Sequence, residues 1–473
     1  MSIRRHESQT PVLFGRFQRR LTPARIISLS FLAIIIVGGL LLLLPISQQP
    51  NVEVAPVDAF FTAVSAVCVT GLVTVVTAST WSVFGKLIIM LLIQIGGLSL
   101  ITIFTFFLIN IGRKISLKNR LAIQAATNNL SLGGMVRLVL LVIKGSFICE
   151  TIGAAVLFAS FLYQGVAWPQ ALFYGVFHAV SAFCNAGFDI IGDNSLMPYV
   201  GDFSINIVIM LLIVIGGIGF VVWRDVLTKL RFSLSKQTRQ KYHISLHSKL
   251  ALIVTSLLLL SGTIFFFLVE GKNPETLAGL PLSEKLLASA FQSVTLRTAG
   301  FATIAQGGLS EVAKFFSSMF MLVGGSPGGT AGGMKTVTLA IIFLGVWSLV
   351  RGRRRIVAFE RSISALSLQK ALTVVVLMLA LLFVGTGILL ISERTSAFPH
   401  SMADIVFEVS SALGTVGLTT GITPYLSLVG KLVLMLCMFI GRIGPITLII
   451  SLTHKKDFGD EVLAYPSEDV IIG

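Results

Sequence analysis

The sequence predicts an all-α membrane protein of four pseudo-symmetric repeats around one central pore. Each repeat runs span, half-helix, filter loop, span, giving eight spanning helices. Three observations carry this. Of 473 residues, 55% are hydrophobic and only 12% charged, far outside the range of a soluble domain. A short glycine motif recurs four times, as Val69 Thr70 Gly71, Asn185 Ala186 Gly187, Thr298 Ala299 Gly300 and Thr415 Val416 Gly417, with the glycines 116, 113 and 117 residues apart. The apolar run before each motif is too short to cross a bilayer.

Those runs open at Pro56 with Asp58, Pro169 with Gln170, Pro281 with Glu284, and Pro399 with Asp404. Proline followed by an acid or amide marks a helix start, and roughly ten to fifteen helical residues reach only about halfway through a ~30 Å hydrocarbon layer. Each run therefore reads as a half-helix followed by a loop. Non-helical backbone at membrane depth persists only where protein buries it or where it lines a water-filled path, so four such loops imply a shared centre. Four helix C-termini, each equivalent to about half a negative charge, favour a cation there. Glycine permits the backbone turn that presents carbonyls to the axis, and rings of carbonyls replace the hydration shell of K+ in potassium filters.

The first apolar segment, Ile26–Ile46, is too long for a signal-peptide core and reads as a retained helix. A net charge of +15 raises the question of nucleic acid, but the placement of the charge argues for a membrane. Of 36 lysines and arginines, 25 fall in four blocks: up to Arg25, Arg113–Lys144, Arg224–Lys249 and Arg351–Lys370. These blocks separate the repeats and share one side, the cytoplasmic one by the positive-inside rule. Acids such as Glu53, Asp189, Asp193 and Glu311 collect on the other side. Cys68, Cys149, Cys184 and Cys437 lie in apolar stretches without metal-ligand spacing and read as buried structural residues.

Along the chain the predicted units are a cytoplasmic segment 1–23, repeat 1 at 24–112, repeat 2 at 113–230, repeat 3 at 231–350, repeat 4 at 351–455 and a tail at 456–473. The returning spans are read as Ser82–Asn110, Ile205–Leu227 and Leu428–Leu452. Repeat 3 departs from the pattern. Its returning helix is interrupted by Gly324 Gly325 Ser326 Pro327 Gly328 Gly329 Thr330 Ala331 Gly332 Gly333 Met334 Lys335 Thr336, which cannot continue a helix. Apolar runs on both sides place it near mid-membrane as a candidate gate. It is not a phosphate-binding loop, because Met334 separates Gly333 from Lys335 and no strand-to-helix unit surrounds it.

Arg442 lies near the centre of the last span, at the depth of this loop when both are counted from their filter glycines. An arginine there must face water, carbonyls or a partner, so it is expected to meet the loop below the filter. Arg297 is read as holding its own filter loop or facing outward, and His178 as a packed histidine. Lys86, Lys314 and Lys431, with Trp81, Trp168 and Trp347, are read as interface anchors. No His-Glu-x-x-His and no intramembrane carboxylate pair appears, so an enzyme is not expected. The alternative transporter reading is a self-sufficient cation symporter coupled to Na+ or H+.

The four single-glycine filters, the Gly324–Thr336 loop and Arg442 resemble the Trk/Ktr/HKT superfamily of potassium and sodium transporters, most closely its KtrB branch. The likeness runs from about Leu21 to Gly473. It implies potassium uptake, frequent sodium dependence with Na+ as activator, and K+ held at the filter carbonyls. It also implies a homodimer with one pore per subunit and residues 456–473 at the dimer contact. Gly71, in place of the serine of some sodium-transporting members, favours potassium. The resemblance further implies gating by the loop and Arg442, and a cytoplasmic ring of KtrA-type subunits binding ATP or ADP. The expected setting is the bacterial inner membrane, multi-pass, with membrane lipid around the chain and both termini cytoplasmic. No covalent cofactor and no nucleic-acid partner are expected.

Overall fold

The computed structural model describes residues 22–99, 135–234, 243–353, 355–394 and 400–452, together with 102, 103, 105, 106, 109 and 398. Repeat 1 comprises α1 (Pro23–Leu42), half-helix α2 (Pro56–Val67) and α3 (Val83–Leu98). Repeat 2 comprises α4 (Met135–Tyr163), half-helix α5 (Trp168–Phe183), α6 (Phe203–Gly217) and α7 (Phe220–Leu234). Repeat 3 comprises α8 (Leu246–Val269), half-helix α9 (Leu282–Thr295), α10 (Glu311–Leu322) and, beyond the glycine-rich interruption, α11 (Thr336–Val350). A hairpin of β1 (Ile356–Ala358) and β2 (Arg361–Ile363), paired Val357 to Ser362, leads into repeat 4. That repeat holds α12 (Ala365–Ser392), half-helix α13 (Met402–Gly414), α14 (Leu428–Ile443) and α15 (Pro445–Leu452). Pro399, Lys455, Lys456, the tail and most of 1–23 and 113–137 lie outside the described residues.

Local chemistry starts these helices. Proline opens α1 and α2, and Ser401 and Asp404 close a reciprocal capping box on α13. The returning helices α3, α6, α10 and α14 are capped at equivalent positions by Ser82, Asp202, Ser310 and Ser427, each accepting from a backbone N–H three residues on. In repeats 3 and 4 the cap is itself held by an acid from the end of the first span. Ser310 Oγ donates to Glu270 at 2.5 Å and Ser427 Oγ to Glu393 at 2.6 Å. The half-helices run 12, 16, 14 and 13 residues, about 18–24 Å. Each buries a phenylalanine at the same place: Phe61, Phe177, Phe291 and Phe407 are fully enclosed.

Each returning helix packs on the half-helix of the next repeat, α3 on α5, α6 on α9, α10 on α13, and α14 back on α2, so the four repeats close into a ring. Two seams carry ion pairs: Lys314 reaches Asp404 at 3.1 Å and Lys431 reaches Asp58 at 2.7 Å. Lys86, four residues after its own cap, donates instead to Ala78 O at 2.6 Å, and Asn206 takes the equivalent place in α6. The lysines read as lipid-interface anchors thus tie neighbouring elements together. Trp81 is also fully buried, whereas Trp168 and Trp347 stay exposed. Outward faces are apolar, with Leu257, Leu260, Phe383 and Ile391 among the exposed side chains.

The returning helices are not continuous. α3 ends at Leu98 with Ser99 left-handed, and α10 runs into the glycine-rich interruption. α6 and α7 meet at 99° across Ile218–Gly219, and α14 and α15 at 96° across Gly444. This corrects the uninterrupted spans read over Ser82–Asn110, Ile205–Leu227 and Leu428–Leu452. Gly219 and Gly444 have φ of 95° and 90°, and Pro445 follows the second break, a combination that ends a helix. By length and apolarity four described helices can cross a membrane, or six if each bent pair counts as one span.

Candidate ion pathway

At the end of each half-helix the backbone makes the same unusual excursion. Val69, Asn185, Thr298 and Thr415 have φ of 56°, 59°, 66° and 53°, and the glycines two residues on have φ of 95°, 68°, 84° and 96°. A left-handed β-branched residue is a true outlier costing about 1–2 kcal/mol, and three of these four are β-branched. Strain repeated at equivalent positions points to a functional constraint on the backbone.

The four loops form one closed ring. A Cβ on Gly71 would collide with Ala186 O, on Gly187 with Ala299 O, on Gly300 with Val416 O, and on Gly417 with Thr70 O. Four carbonyl oxygens and four glycines therefore alternate around a single axis, and every glycine is required by its neighbour's carbonyl as well as by its own φ. Hydroxyls support the ring from behind. Ser65 and Ser411 accept from the N–H of Gly71 and Gly417, each at 3.0 Å, while Ser181 and Thr295 donate to Phe188 O and Phe301 O at 2.8 and 2.6 Å. Above the ring, a cavity of about 290 Å³ is bounded by the four ring glycines, Asp189, Asp193, Gln306 and Thr420. Asp189 lies in the loop after the second copy. Burial pushes its carboxyl up to about 6, against hydrogen bonds from Ser195, Gly192 and Ile191.

Below the ring, the Gly324–Thr336 segment touches neighbouring repeats. Ser326 N donates to Gly217 O at 2.8 Å, Thr330 N to Gly216 O at 3.1 Å, and Phe220 N to Gly328 O at 2.9 Å. Thr330 Oγ1 donates to Asn185 Oδ1 at 3.0 Å, and Gly332 lies against Thr415 without room for a Cβ. Lys335 Nζ folds back on the segment, donating to Ala331 O at 2.7 Å and Gly332 O at 3.2 Å.

Arg442 meets this segment. One nitrogen donates to Thr330 O and another to Gly96 O and, at 3.2 Å, to Gly97 O. Those two carbonyls belong to the last turn of α3, which ends at Leu98. The arginine thus caps repeat 1 and grips the repeat 3 segment from repeat 4. Arg297 does not hold its own filter loop; it donates to Gly324 O at 2.9 Å and Thr255 O at 3.4 Å. His178 is buried among Phe161, Tyr174, Phe177 and Phe301, with Nδ1 against Tyr174 O.

Two buried acids lie outside the predicted site residues. Glu408, fully buried behind the fourth copy, accepts from Thr419 Oγ1, Thr420 N and Thr423 Oγ1 and so orders the loop leaving the ring. Glu150, buried on α4, accepts from Gln94 Nε2 at 3.0 Å; a single acid inside an apolar run was its signal. The cysteines are free, with Cys68, Cys184 and Cys437 buried.

This architecture defines a multi-pass, all-α membrane protein whose four repeats surround one axis lined by backbone oxygen, the construction of a cation transporter rather than of an enzyme. The TrkH family model, described as cation transport protein, matches residues 18–459. The chain is 39% identical over 465 residues to the potassium/sodium uptake protein NtpJ of Enterococcus hirae, covering 98% of this chain and 100% of that one. It is 40% identical over 454 residues to Ktr system potassium uptake protein B of Bacillus subtilis, covering 96% and 97%. Its fold matches the crystal structure of the potassium transporter TrkH from Vibrio parahaemolyticus with a TM-score of 0.67, over 91% of this chain and 84% of that one, at 18% identity. The chain belongs to the TrkH family of cation transport proteins, as a KtrB-type member of the Trk/Ktr superfamily.

Proposed function

We propose that this chain is the membrane subunit of a potassium uptake system and conducts K+ in a channel-like manner. The ion is held by the carbonyls of Val69–Gly71, Asn185–Gly187, Thr298–Gly300 and Thr415–Gly417. The closed ring of alternating carbonyls and glycines carries this reading, because four convergent backbone oxygens suit a monovalent cation stripped of water. Segment Gly324–Thr336 is the gate and Arg442 its latch, since the segment lies beneath the ring and is tied to repeats 1, 2 and 4.

A cytoplasmic, nucleotide-binding subunit of KtrA type regulates the gate, two copies of the chain form the working unit, and Na+ supports activity. The relatives named as parts of a Ktr system and as a potassium/sodium uptake protein support these assignments. The setting is the bacterial inner membrane, with the basic linkers and both termini cytoplasmic, as the charge distribution favours. The test is radioactive rubidium uptake into proteoliposomes holding this chain alone, with and without Na+, under an imposed potential. Uptake that follows the potential establishes the pore. Uptake that requires an inward Na+ or H+ gradient replaces it with a symporter. No uptake until a cytoplasmic subunit is added places the gate in a closed resting state.

A further inference from the structure

Arg297 sits three residues before the third filter glycine and is buried. No carboxylate approaches it among the described residues, so its charge is compensated by backbone oxygen: Gly324 O at 2.9 Å and Thr255 O at 3.4 Å. Gly324 is the residue at which the intramembrane segment leaves α10. A second route runs from the same residue, because Arg297 O accepts from Asn185 Nδ2 at 3.4 Å and Asn185 Oδ1 accepts from Thr330 Oγ1 at 3.0 Å. Thr330 O in turn receives Arg442. The filter is therefore joined to the segment at its first residue by Arg297 and at its middle by Asn185. Both joints sit at strained places: Asn185 is itself left-handed, and Arg297 directly precedes left-handed Thr298. Beside the guanidinium is a small cavity bordered by Thr255, Val294 and Gly325, and Thr255 Oγ1 has no hydrogen-bond partner.

We propose that Arg297 is a positioning residue that couples the filter to the intramembrane segment, so that the ion species held in the filter sets the conformation of the segment. The inference rests on the reading of the four loops as a cation site. A planar guanidinium hydrogen-bonded to Gly324 O transmits a sub-ångström change at Thr298 and Ala299, and packed elements with two arrangements amplify such shifts. Potassium and sodium differ in the spacing they demand of the same carbonyls, so they favour different arrangements.

The experiment reads the segment directly. Ser326→Cys is introduced into the full chain, and its modification rate by a small water-soluble methanethiosulfonate is measured in potassium and in sodium. The unsubstituted chain, with its four free cysteines, gives the background. The expected result is a rate difference between the ions of about fivefold or more, the low end of coupling between sites. Arg297→Gln abolishes that difference, whereas Arg297→Lys, which keeps a donor toward Gly324 O, retains part of it. Equal rates in the two ions before Arg297 is changed, or an ion dependence that survives in Arg297→Gln, overturns the proposal. If the Gln variant does not fold, an undiminished difference in Arg297→Lys together with equal rates after Asn185→Ala likewise overturns it, assigning the coupling to Asn185. Rubidium flux after deletion of Gly325–Lys335 is scored separately. If ions change the labelling while that deletion leaves flux unchanged, the coupling stands and the gating role falls.

Discussion

Replacing Arg442 by alanine tests its proposed role as the latch. In the structure the guanidinium holds three carbonyl oxygens, Thr330 O on the intramembrane segment and Gly96 O and Gly97 O at the end of α3. A hydrogen bond to a charged group contributes about 1.5–3 kcal/mol. Only the bond to Thr330 O ties the segment to a neighbouring repeat through the arginine; the bonds to α3 hold the arginine in place. Losing that one tie shifts the equilibrium of the segment toward an open arrangement by roughly ten- to hundredfold. The segment retains Ser326 N to Gly217 O, Thr330 N to Gly216 O and Thr330 Oγ1 to Asn185, so opening remains partial. Removing a positive charge from beneath a cation site acts in the same direction. The expected outcome is a rise in basal rubidium uptake into proteoliposomes of about tenfold, smaller than the rise from deleting Gly325–Lys335, with the rubidium-to-sodium ratio preserved. Unchanged or reduced uptake from monodisperse protein with a wild-type melting curve would refute the argument that this arginine restrains the path.

Further perturbations address other parts of the ring. Gly71→Ser forces a side chain against Ala186 O at a backbone φ of 95°; the rubidium-to-sodium flux ratio is expected to fall, and an unchanged ratio removes Gly71 from the selective ring. Lys431→Met strands Asp58 in a half-buried seam and is expected to lower the melting temperature by several degrees, on the order of a 1–3 kcal/mol loss, while the double change with Asp58→Asn recovers much of it; a double variant no better than the single one argues against the pair. Asp189 titrates near 6 because it is buried. It carries its negative charge above that pH and loses it below, so cation uptake at low ionic strength is expected to drop by up to about tenfold as external pH falls through 6. Asp189→Asn flattens that dependence; an identical pH profile in the variant assigns the titration to another group.

The sequence by itself carried the plan of the molecule where the plan depends on local backbone chemistry. A glycine with φ between 68° and 96° in each copy of the loop leaves a visible mark, and Gly71, Gly187, Gly300 and Gly417 therefore revealed the fourfold period. The break at Gly324–Thr336 was equally visible, because so many glycines with Pro327 cannot stay helical. Arg442 could be read as requiring carbonyls or water from its depth alone. Which carbonyls it meets was decided only by tertiary structure, since Gly96 and Gly97 lie 346 and 345 residues away in the chain. They lie in the last turn of α3, which ends at Leu98. That stop, and the 99° and 96° bends in repeats 2 and 4, left little trace in hydropathy, for apolar residues continue on both sides and the membrane rewards them in either direction. The lysines of the returning helices, and Trp81, were misplaced for the same reason: composition marks a residue as near the membrane surface but cannot say whether lipid or the next repeat lies beside it. Closure of the ring settles that, by bringing α14 back to α2 and placing Lys431 on Asp58. Local sequence specifies how the backbone turns at each glycine, whereas the partner across each seam is chosen by packing between segments far apart in the chain, 90 residues for Lys314 and Asp404 and 373 for Lys431 and Asp58.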